Sequence, residues 1–360
     1  MLVNMEKNKT PGFINKRFRL GEFVAEKTIT AIAFLSLAFI ALIFIFVLRE
    51  TIPVFFQNSE KSTSQSQVKT GESETYGEEY VADGTTKPAV PMDNNSESSV
   101  ESSELEKKVT ASNLLSTTWQ PVSQIPKYGL WPLVVGSFKV TLVAILIALP
   151  IGVLAALYTS TFAPKWAKEF MKPAIEILAG FPSVVIGFFA LIVLASLVQN
   201  TFGFQYRLNA FVGGLALSFA VIPIIYTLSE DALAAIPKVL TEASLALGAT
   251  RWETAFKIVL PAATPGIFAA SLLGLGRAFG ETMIVLMATG NAALLTPNIF
   301  EPVRTVSATI GAEMAEVVFG DIHYHVLFLL GFILFTFSFA LNAIAEFLIR
   351  QKLMKKFKGA

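Results

Sequence analysis

The chain contains no cysteine and only two histidines, His323 and His325, among its 360 residues. The lack of cysteine excludes disulfides, thiol catalysis and thiolate metal sites, and two histidines are too few for most histidine-based metal sites. Charged residues are also scarce: they make up 15% of the chain, whereas soluble globular proteins carry about 25%. The net charge of +1 gives no overall field that would indicate nucleic acid as a partner.

A glycine-rich phosphate-binding loop followed by Lys and Ser or Thr is missing too, so the sequence contains no nucleotide-binding motif of this type. What the chain has is apolar residues, which account for 53% of it and give a mean hydropathy of +0.60. A bilayer core of about 30 Å is crossed by about 20 apolar residues in a helix. Windows of this kind lie near 28–48, 134–160, 175–198, 208–229, 265–290 and 324–349. We therefore predict an all-α polytopic membrane protein with six transmembrane helices.

Six spans place both termini on the same side of the membrane, and basic residues indicate which side. Lys and Arg cluster in the segments 1–27, 161–174 and 350–358, which all fall on that side. The positive-inside rule makes it the cytoplasmic side, so the loop 230–264 also faces the cytoplasm. The first apolar run is longer than that of a signal peptide and is followed by Arg49-Glu50 instead of a small-residue cleavage site, so we predict a retained helix at 28–48.

The segment 49–117 is then external. It is rich in Ser and Glu and has almost no large apolar side chains. Such a composition buries too little surface to offset the entropy of the chain, so we predict disorder. A solvated spacer is the simplest interpretation, and its acidic residues could instead repel anions or dock a partner.

The polar loop between the fourth and fifth apolar windows predicts two short helices with a break between them. Pro237 suits the start of the first helix, and Gly248 suits its end because glycine accepts the left-handed conformation. The run Thr250-Arg251-Trp252-Glu253 has the pattern of a capping box. The second helix is predicted to run to Leu260, with Pro261 marking its end or a kink. An ordinary amphipathic loop on the membrane surface is the alternative.

Two charges, Arg277 and Glu281, lie inside the fifth apolar window. Residues four apart share a helix face, and a charge at the bilayer centre costs at least about 2.5–3.5 kcal/mol. The two side chains should therefore face a water-filled path or one another. One interpretation is a structural pair that neutralises itself. The other is an anion-binding step in a translocation path, for which the forked donors of a guanidinium are suited.

Two segments resemble known families of transport proteins. The first is similar to the EAA loop of ABC-importer permeases and reads Glu242-Ala243-Ser244-x3-Gly248-x9-Ile258-x-Leu260-Pro261. The second resembles phosphate ABC-importer permeases of the PstC type and reads Gly276-Arg277-x3-Glu281-Thr282-Met283, followed by Met287-Ala288-Thr289-Gly290-Asn291. PstA-type permeases usually have Gly-Glu-Thr-Ala-Pro in place of the run 280–284. The resemblance covers about 118–350.

This resemblance implies a MetI-like ABC type-1 permease domain over 118–350, followed by a basic cytoplasmic tail at 351–360. It implies a bacterial inner-membrane permease for inorganic phosphate, without catalytic residues, metal or bound cofactor. The implied partners are a PstA-type second permease, a dimeric PstB-type ATPase that uses ATP, a periplasmic PstS-type phosphate-binding protein and membrane lipid, with no nucleic acid. The implied substrate-path residues are Arg277, Glu281 and Thr282. The implied ATPase-coupling residues are Glu242, Ala243 and Gly248.

A selectivity hypothesis follows from the resemblance. Phosphate keeps a proton at neutral pH and sulfate does not, so Glu281 could accept a hydrogen bond from phosphate while Arg277 binds the other oxygens. Three alternatives stay open: a permease for sulfate, molybdate or phosphonate, a membrane sensor that relays a signal, and an ion-driven carrier. Outside the path, Glu313 and Glu316 are predicted to be surface carboxylates on an external helix.

Overall fold

The structure, a computed structural model, describes residues 20–56 and 111–358. The predicted disorder of the external segment concerns mainly residues outside this part of the chain. Contacts divide the chain between Val47 and Leu48 into two units.

The first helix, α1, runs from Leu20 to Phe56. It is longer than the window 28–48, and its stretch Lys27–Phe55 is apolar and long enough to cross a membrane. Most of its large apolar side chains are exposed, including Ile29, Phe34 and Leu42. An apolar helix exposed in this way is suited to contact with lipid.

A small hairpin precedes the second span. Helix α2 (Ala111–Leu114) leads into the antiparallel strands β1 (Trp119–Gln120) and β2 (Lys127–Tyr128), with Trp119 opposite Tyr128. The two aromatic rings are buried and meet edge to face with centroids 5.9 Å apart.

The second and third spans, together with the helix that lies between them, comprise four helices and two π-helical turns. The helices are α3 (Trp131–Leu157), α4 (Lys165–Gly180), α5 (Ser183–Phe189) and α6 (Ala195–Phe202), and the turns are Tyr158–Phe162 and Ala190–Leu194. The predicted window 175–198 is shifted, because α4 ends at Gly180 and the third span covers Ser183–Phe202. The break arises at Pro182, which disfavours helical geometry at Phe181 and leaves it extended at φ −65° and ψ 128°.

The fourth and fifth spans follow. Helix α7 (Ala210–Ala234) starts at Asn209, whose side chain accepts a hydrogen bond from the Val212 amide at 2.9 Å. The chain then forms α8 (Lys238–Ala246), α9 (Arg251–Thr254), a π-helical turn (Ala255–Val259) and α10 (Leu260–Gly280). The fifth span covers Arg251–Gly280. The predicted window 265–290 was therefore wrong at both ends, since the helix starts earlier and stops at Gly280.

Helices α11 (Met283–Ala288), α12 (Val306–Glu313) and α13 (Ile322–Lys358) complete the chain. Across residues 20–56 and 111–358, six helical stretches are long and apolar enough to cross a membrane: Lys27–Phe55, Trp131–Phe162, Ser183–Phe202, Ala210–Ala234, Arg251–Gly280 and Ile322–Phe347. The predicted fold class, all-α with six transmembrane helices, is confirmed.

The main apolar core surrounds α7. Leu217 and Ile225 of this helix are buried together with Val140 of α3 and Ile284 of α11. Close approach is possible because small residues line the contacts: a Cβ placed on Gly214 would lie 2.6 Å from the Cβ of Val143. Lipid removes most of the hydrophobic driving force between helices, so such close packing is what holds a membrane bundle together.

Candidate functional site

The fifth span ends in a break that separates the two predicted path charges. Arg277 lies in the last turn of α10, whereas Glu281 lies beyond the end of that helix in an extended conformation with φ −68° and ψ 133°. Gly280 is the last helical residue, and glycine has low helix propensity. The prediction that the two residues share one helix face was therefore wrong. No ion pair joins them, so the self-neutralising pair is also excluded.

Arg277 is exposed and, within the part of the chain that the structure describes, its side chain has no hydrogen-bond or ion-pair partner. The preceding residue, Gly276, packs against polar side chains of α13: a Cβ placed on it would lie 3.5 Å from the Asn342 amide oxygen and 4.0 Å from the Ser338 hydroxyl. The sequence analysis missed these two residues of α13. The available signal was two polar side chains four residues apart in an otherwise apolar span, which places them on one helix face.

Glu281 lines a narrow recess whose other polar walls are hydroxyl groups, from Ser137, Thr141, Thr305 and Ser307. The Ser307 hydroxyl donates a hydrogen bond to the main-chain carbonyl of Glu281 at 2.6 Å. The Thr282 hydroxyl lies 3.5 Å from the Gly280 carbonyl. The recess thus brings Glu281 next to these hydroxyl groups, of which those of Ser137 and Ser307 already donate hydrogen bonds to main-chain carbonyls.

Two glycines allow other helices to pack directly against the break. A Cβ on Gly311 of α12 would lie 2.5 Å from the Thr282 methyl group, and one on Gly187 of α5 would lie 3.0 Å from the Met283 carbonyl oxygen. A larger side chain at either position would push the break out of place. The packing therefore fixes where the break sits in the bundle.

The polar loop forms the predicted pair of short helices with a sharp turn, which we call the elbow (residues 237–260). Pro237 precedes α8, and Gly248 follows it with a φ of +86°. Thr250 and Glu253 form a complete capping box, in which the Thr250 amide donates to the Glu253 carboxylate at 3.0 Å. These predictions are confirmed.

The second helix of the elbow differs from its prediction in where it ends. It continues through the π-helical turn Ala255–Val259 into α10, so Leu260 and Pro261 lie inside one long helical stretch. Pro261 lies just after the π-helical turn, and within this continuous stretch it lacks the N–H that would bond to the preceding turn. One continuous helical stretch, residues 251–280, therefore connects the elbow to the break at Glu281.

The elbow exposes its predicted contact residues. Glu242, Ala243 and Gly248 are all exposed, and α8 has no buried residue. Next to them Leu247 is 90% exposed and Val239 is 70% exposed. The Ser244 hydroxyl lies 2.9 Å from that of Thr254, which ties α8 to α9. An exposed apolar patch with a polar rim is typical of a protein interface.

A second polar cluster centres on Glu313, and here the prediction of a surface carboxylate was wrong. The Glu313 side chain is only 14% exposed and pairs with Arg304 at 2.5 Å and with His323 at 2.9 Å. The Trp119 indole N–H donates to the same carboxylate at 3.1 Å. Glu316, by contrast, is exposed as predicted. We call Trp119, Arg304, Glu313 and His323 the Glu313 cluster.

Neighbouring residues contact two members of the Glu313 cluster, His323 and Arg304. Burial, with the added effect of Asp321 and Glu313, raises the pKa of Tyr128 to about 12, so its ring stays neutral beside His323, with centroids 5.9 Å apart. The Arg304 Nε donates to both the carbonyl and the side-chain oxygen of Asn291 at 3.1 Å. Over residues 20–56 and 111–358, no group of three or more metal-ligating side chains is present.

The sequence of this chain is similar to those of known transport proteins. Residues 148–353 match the family described as "Binding-protein-dependent transport system inner membrane component". The "Probable ABC transporter permease protein YqgH" of Bacillus subtilis is 38% identical over 66% of this chain and 77% of its own length. The "Phosphate transport system permease protein PstC" of Mesorhizobium japonicum is 33% identical over 66% of this chain and 78% of its own. PstC of Haemophilus influenzae is 30% identical over 70% and 84%.

Among solved structures, an inward-facing form of the MetNI methionine ABC transporter shares 23% identity with a TM-score of 0.45, covering 61% of this chain and 94% of that one. A bacterial ABC transporter that imports alginate shares 14% identity with a TM-score of 0.48, covering 72% and 91%.

Proposed function

We propose the function of this chain from the premise that it belongs to the family of binding-protein-dependent transport system inner membrane components. It is a multi-pass inner-membrane protein and the permease subunit of an ABC importer for inorganic phosphate. Relatives named as phosphate permeases match two thirds of the chain. The chain is a non-enzymatic membrane component that forms part of the translocation path.

The observation that carries the substrate assignment is Arg277 at the interrupted end of a membrane helix. Charged residues within a membrane span usually face a water-filled cavity or a partner, and no carboxylate among the described residues neutralises Arg277. Its forked donors match the oxygens of a phosphate. Glu281 and Thr282, on the other side of the break, complete the proposed substrate path.

Glu281 adds a basis for selectivity in this proposal. A carboxylate accepts a hydrogen bond from an anion that still carries a proton and repels one that does not. Hydrogen phosphate keeps such a proton at neutral pH, while sulfate does not. The Glu281→Gln variant, which loses the charge, should therefore discriminate less between phosphate and sulfate, and unchanged discrimination would contradict this role.

The partners that this proposal requires are a second permease subunit of PstA type, a dimeric cytoplasmic ATPase of PstB type and a periplasmic phosphate-binding protein of PstS type. ATP is bound and hydrolysed by the ATPase. In the proposed orientation both termini and the elbow face the cytoplasm, because the basic segments flank the spans on that side. The apolar patch around Leu247 supports docking of the elbow onto the ATPase.

The proposed function is tested by uptake of labelled phosphate into vesicles that contain the complete complex, with ATP inside and loaded binding protein outside. Unlabelled phosphate should compete, while sulfate, molybdate and phosphonate should not. Competition by one of these anions instead would reassign the substrate, and uptake that persists without hydrolysable ATP would indicate an ion-driven carrier. A variant lacking residues 60–110 should still import phosphate, whereas a sensor would lose its output.

The coupling role of the elbow gives a prediction at Gly248. The Gly248→Ala variant places a side chain at φ +86°, which costs about 1–2 kcal/mol, so the elbow should relax and lose its fit to the ATPase. We expect ATPase activity stimulated by loaded binding protein to fall at least fivefold. Gly203→Ala is the matched control, since Gly203 also has a positive φ and open space around its Cβ, but lies outside the elbow. Equal losses in both variants would contradict a coupling role.

A further inference from the structure

We propose that Ser307 is a positioning residue for the substrate path, because its hydroxyl holds the main chain at the break formed by Glu281 and Thr282. This inference rests on the proposed function and adds to it a residue that the predicted path does not contain. Ser307 lies 26 residues from Glu281 and is only 3% exposed.

The hydrogen bond from Ser307 acts on the backbone and therefore on everything the break carries. Its hydroxyl donates to the Glu281 carbonyl at 2.6 Å. Glu281 is the first residue after α10, and Thr282 is the residue before α11. A shift of this one carbonyl would turn the Glu281 side chain, and it would also change the angle between α10, which carries Arg277, and α11. A carbonyl fixed in place is thus a means of orienting both proposed path charges.

Ser307 itself is held in a fixed frame. It lies in the first turn of α12, where the Thr305 hydroxyl accepts a hydrogen bond from the Ala308 amide at 3.2 Å. The Val306 amide donates to the Ser137 hydroxyl of α3 at 2.9 Å. The far end of α12 is Glu313, which is fixed by its own cluster. Because α12 is anchored at both ends, the hydrogen bond positions the break relative to α12.

The packing beside Ser307 also brings α12 against the break. Gly311, one helical turn further along α12, leaves room for Thr282, whose methyl group would lie 2.5 Å from a Cβ at that position. Helix α12 therefore contacts both residues of the break, one through a hydrogen bond and the other through close packing. Ser307 therefore does more than fill space, because its hydroxyl donates a hydrogen bond to the Glu281 carbonyl.

The test uses phosphate uptake by vesicles containing the complete complex, measured at saturating loaded binding protein together with ATP hydrolysis. We expect Ser307→Ala to lower phosphate taken up per ATP hydrolysed by about fivefold to tenfold, the equivalent of one lost hydrogen bond. Ser307→Thr keeps the hydroxyl and should restore at least half of the wild-type ratio. Ser271→Ala is the matched control, since the Ser271 hydroxyl makes a similar 2.8 Å bond to a carbonyl of α10 away from the break.

A combined variant separates positioning from a general structural role. If Ser307 acts by orienting Glu281 and Arg277 together, adding Ser307→Ala to the pair Glu281→Gln and Arg277→Lys should lower the ratio by less than it does in the wild-type background, because residues that act through one another are not additive. Losses that multiply would overturn the proposal, as would an unchanged ratio in Ser307→Ala. If Ser307→Ala does not assemble with its partners, Ser307→Cys, which retains volume with a weak donor, replaces it. A wild-type complex that takes up no phosphate would instead refute the proposed function.

Discussion

Replacing Arg277 with alanine is expected to reduce ATP-driven phosphate uptake on the order of 100-fold, because the guanidinium would lose its hydrogen bonds to a charged anion, each worth about 1.5–3 kcal/mol. The Arg277→Lys variant keeps the charge but loses the forked donors. Its phosphate uptake should lie between those of Arg277→Ala and the wild type, about tenfold below the wild type. Uptake of labelled phosphate by vesicles containing the complete complex measures both. Basal ATP hydrolysis should change little, since Arg277 is distant in sequence from the elbow and is not one of its proposed contact residues.

The control for Arg277 is another arginine that lies next to a membrane span. Arg207 is exposed and donates to the Leu191 carbonyl and to the Ser196 hydroxyl, both at 3.1 Å. Removal of its side chain should lower uptake less than twofold. If Arg277→Ala transported phosphate as fast as Arg207→Ala does, the proposed substrate path would have to lie elsewhere. If Arg277→Lys were as inactive as Arg277→Ala, the fork and not the charge would be the essential feature.

The features that were predictable from the sequence are those that nearby residues determine. The six apolar stretches follow from composition and length. The elbow follows from Pro237, Gly248 and the capping box at Thr250, each of which acts within a few residues of itself. The edges of two spans were not predicted, because a hydropathy window does not register where a helix stops. The third span starts after Pro182, and the fifth ends at Gly280 although apolar residues continue.

The contacts within the candidate site depend on residues that are distant in the sequence. Glu281 was assigned to the face of a helix that in fact ends one residue before it. Its hydrogen bond from Ser307 crosses 26 residues, and the bond between Trp119 and Glu313 crosses 194. Spacing rules relate residues within one element and carry no information about such pairs. The Glu313 carboxylate therefore appeared to be a surface group, although tertiary packing surrounds it with three partners.

The Glu313→Ala variant is expected to be the most destabilising substitution outside the substrate path. Removal of one partner from a buried ion pair typically costs about 3–5 kcal/mol, because the remaining charge is left without compensation. Here both Arg304 and His323 would lose their carboxylate, and the Trp119 indole would lose its acceptor. Thermal unfolding of the purified complex, followed in detergent, should show a clear drop in melting temperature.

Glu316→Ala is the matched control for this loss, since Glu316 is an exposed carboxylate three residues further on and should change stability by less than about 0.5 kcal/mol. A further variant distinguishes uncompensated charge from lost packing. Combining Glu313→Leu with Arg304→Met removes both charges and should recover much of the stability. Replacement of a buried ion pair by apolar residues of similar volume is often neutral or stabilising. If the double variant were less stable than Glu313→Ala, the cluster would hold the fold through its geometry instead of its charge balance. Because Glu313 ends α12 and Ser307 begins it, loss of the cluster should also weaken the coupling of ATP hydrolysis to uptake in the surviving complexes, whereas Glu316→Ala should leave that ratio unchanged.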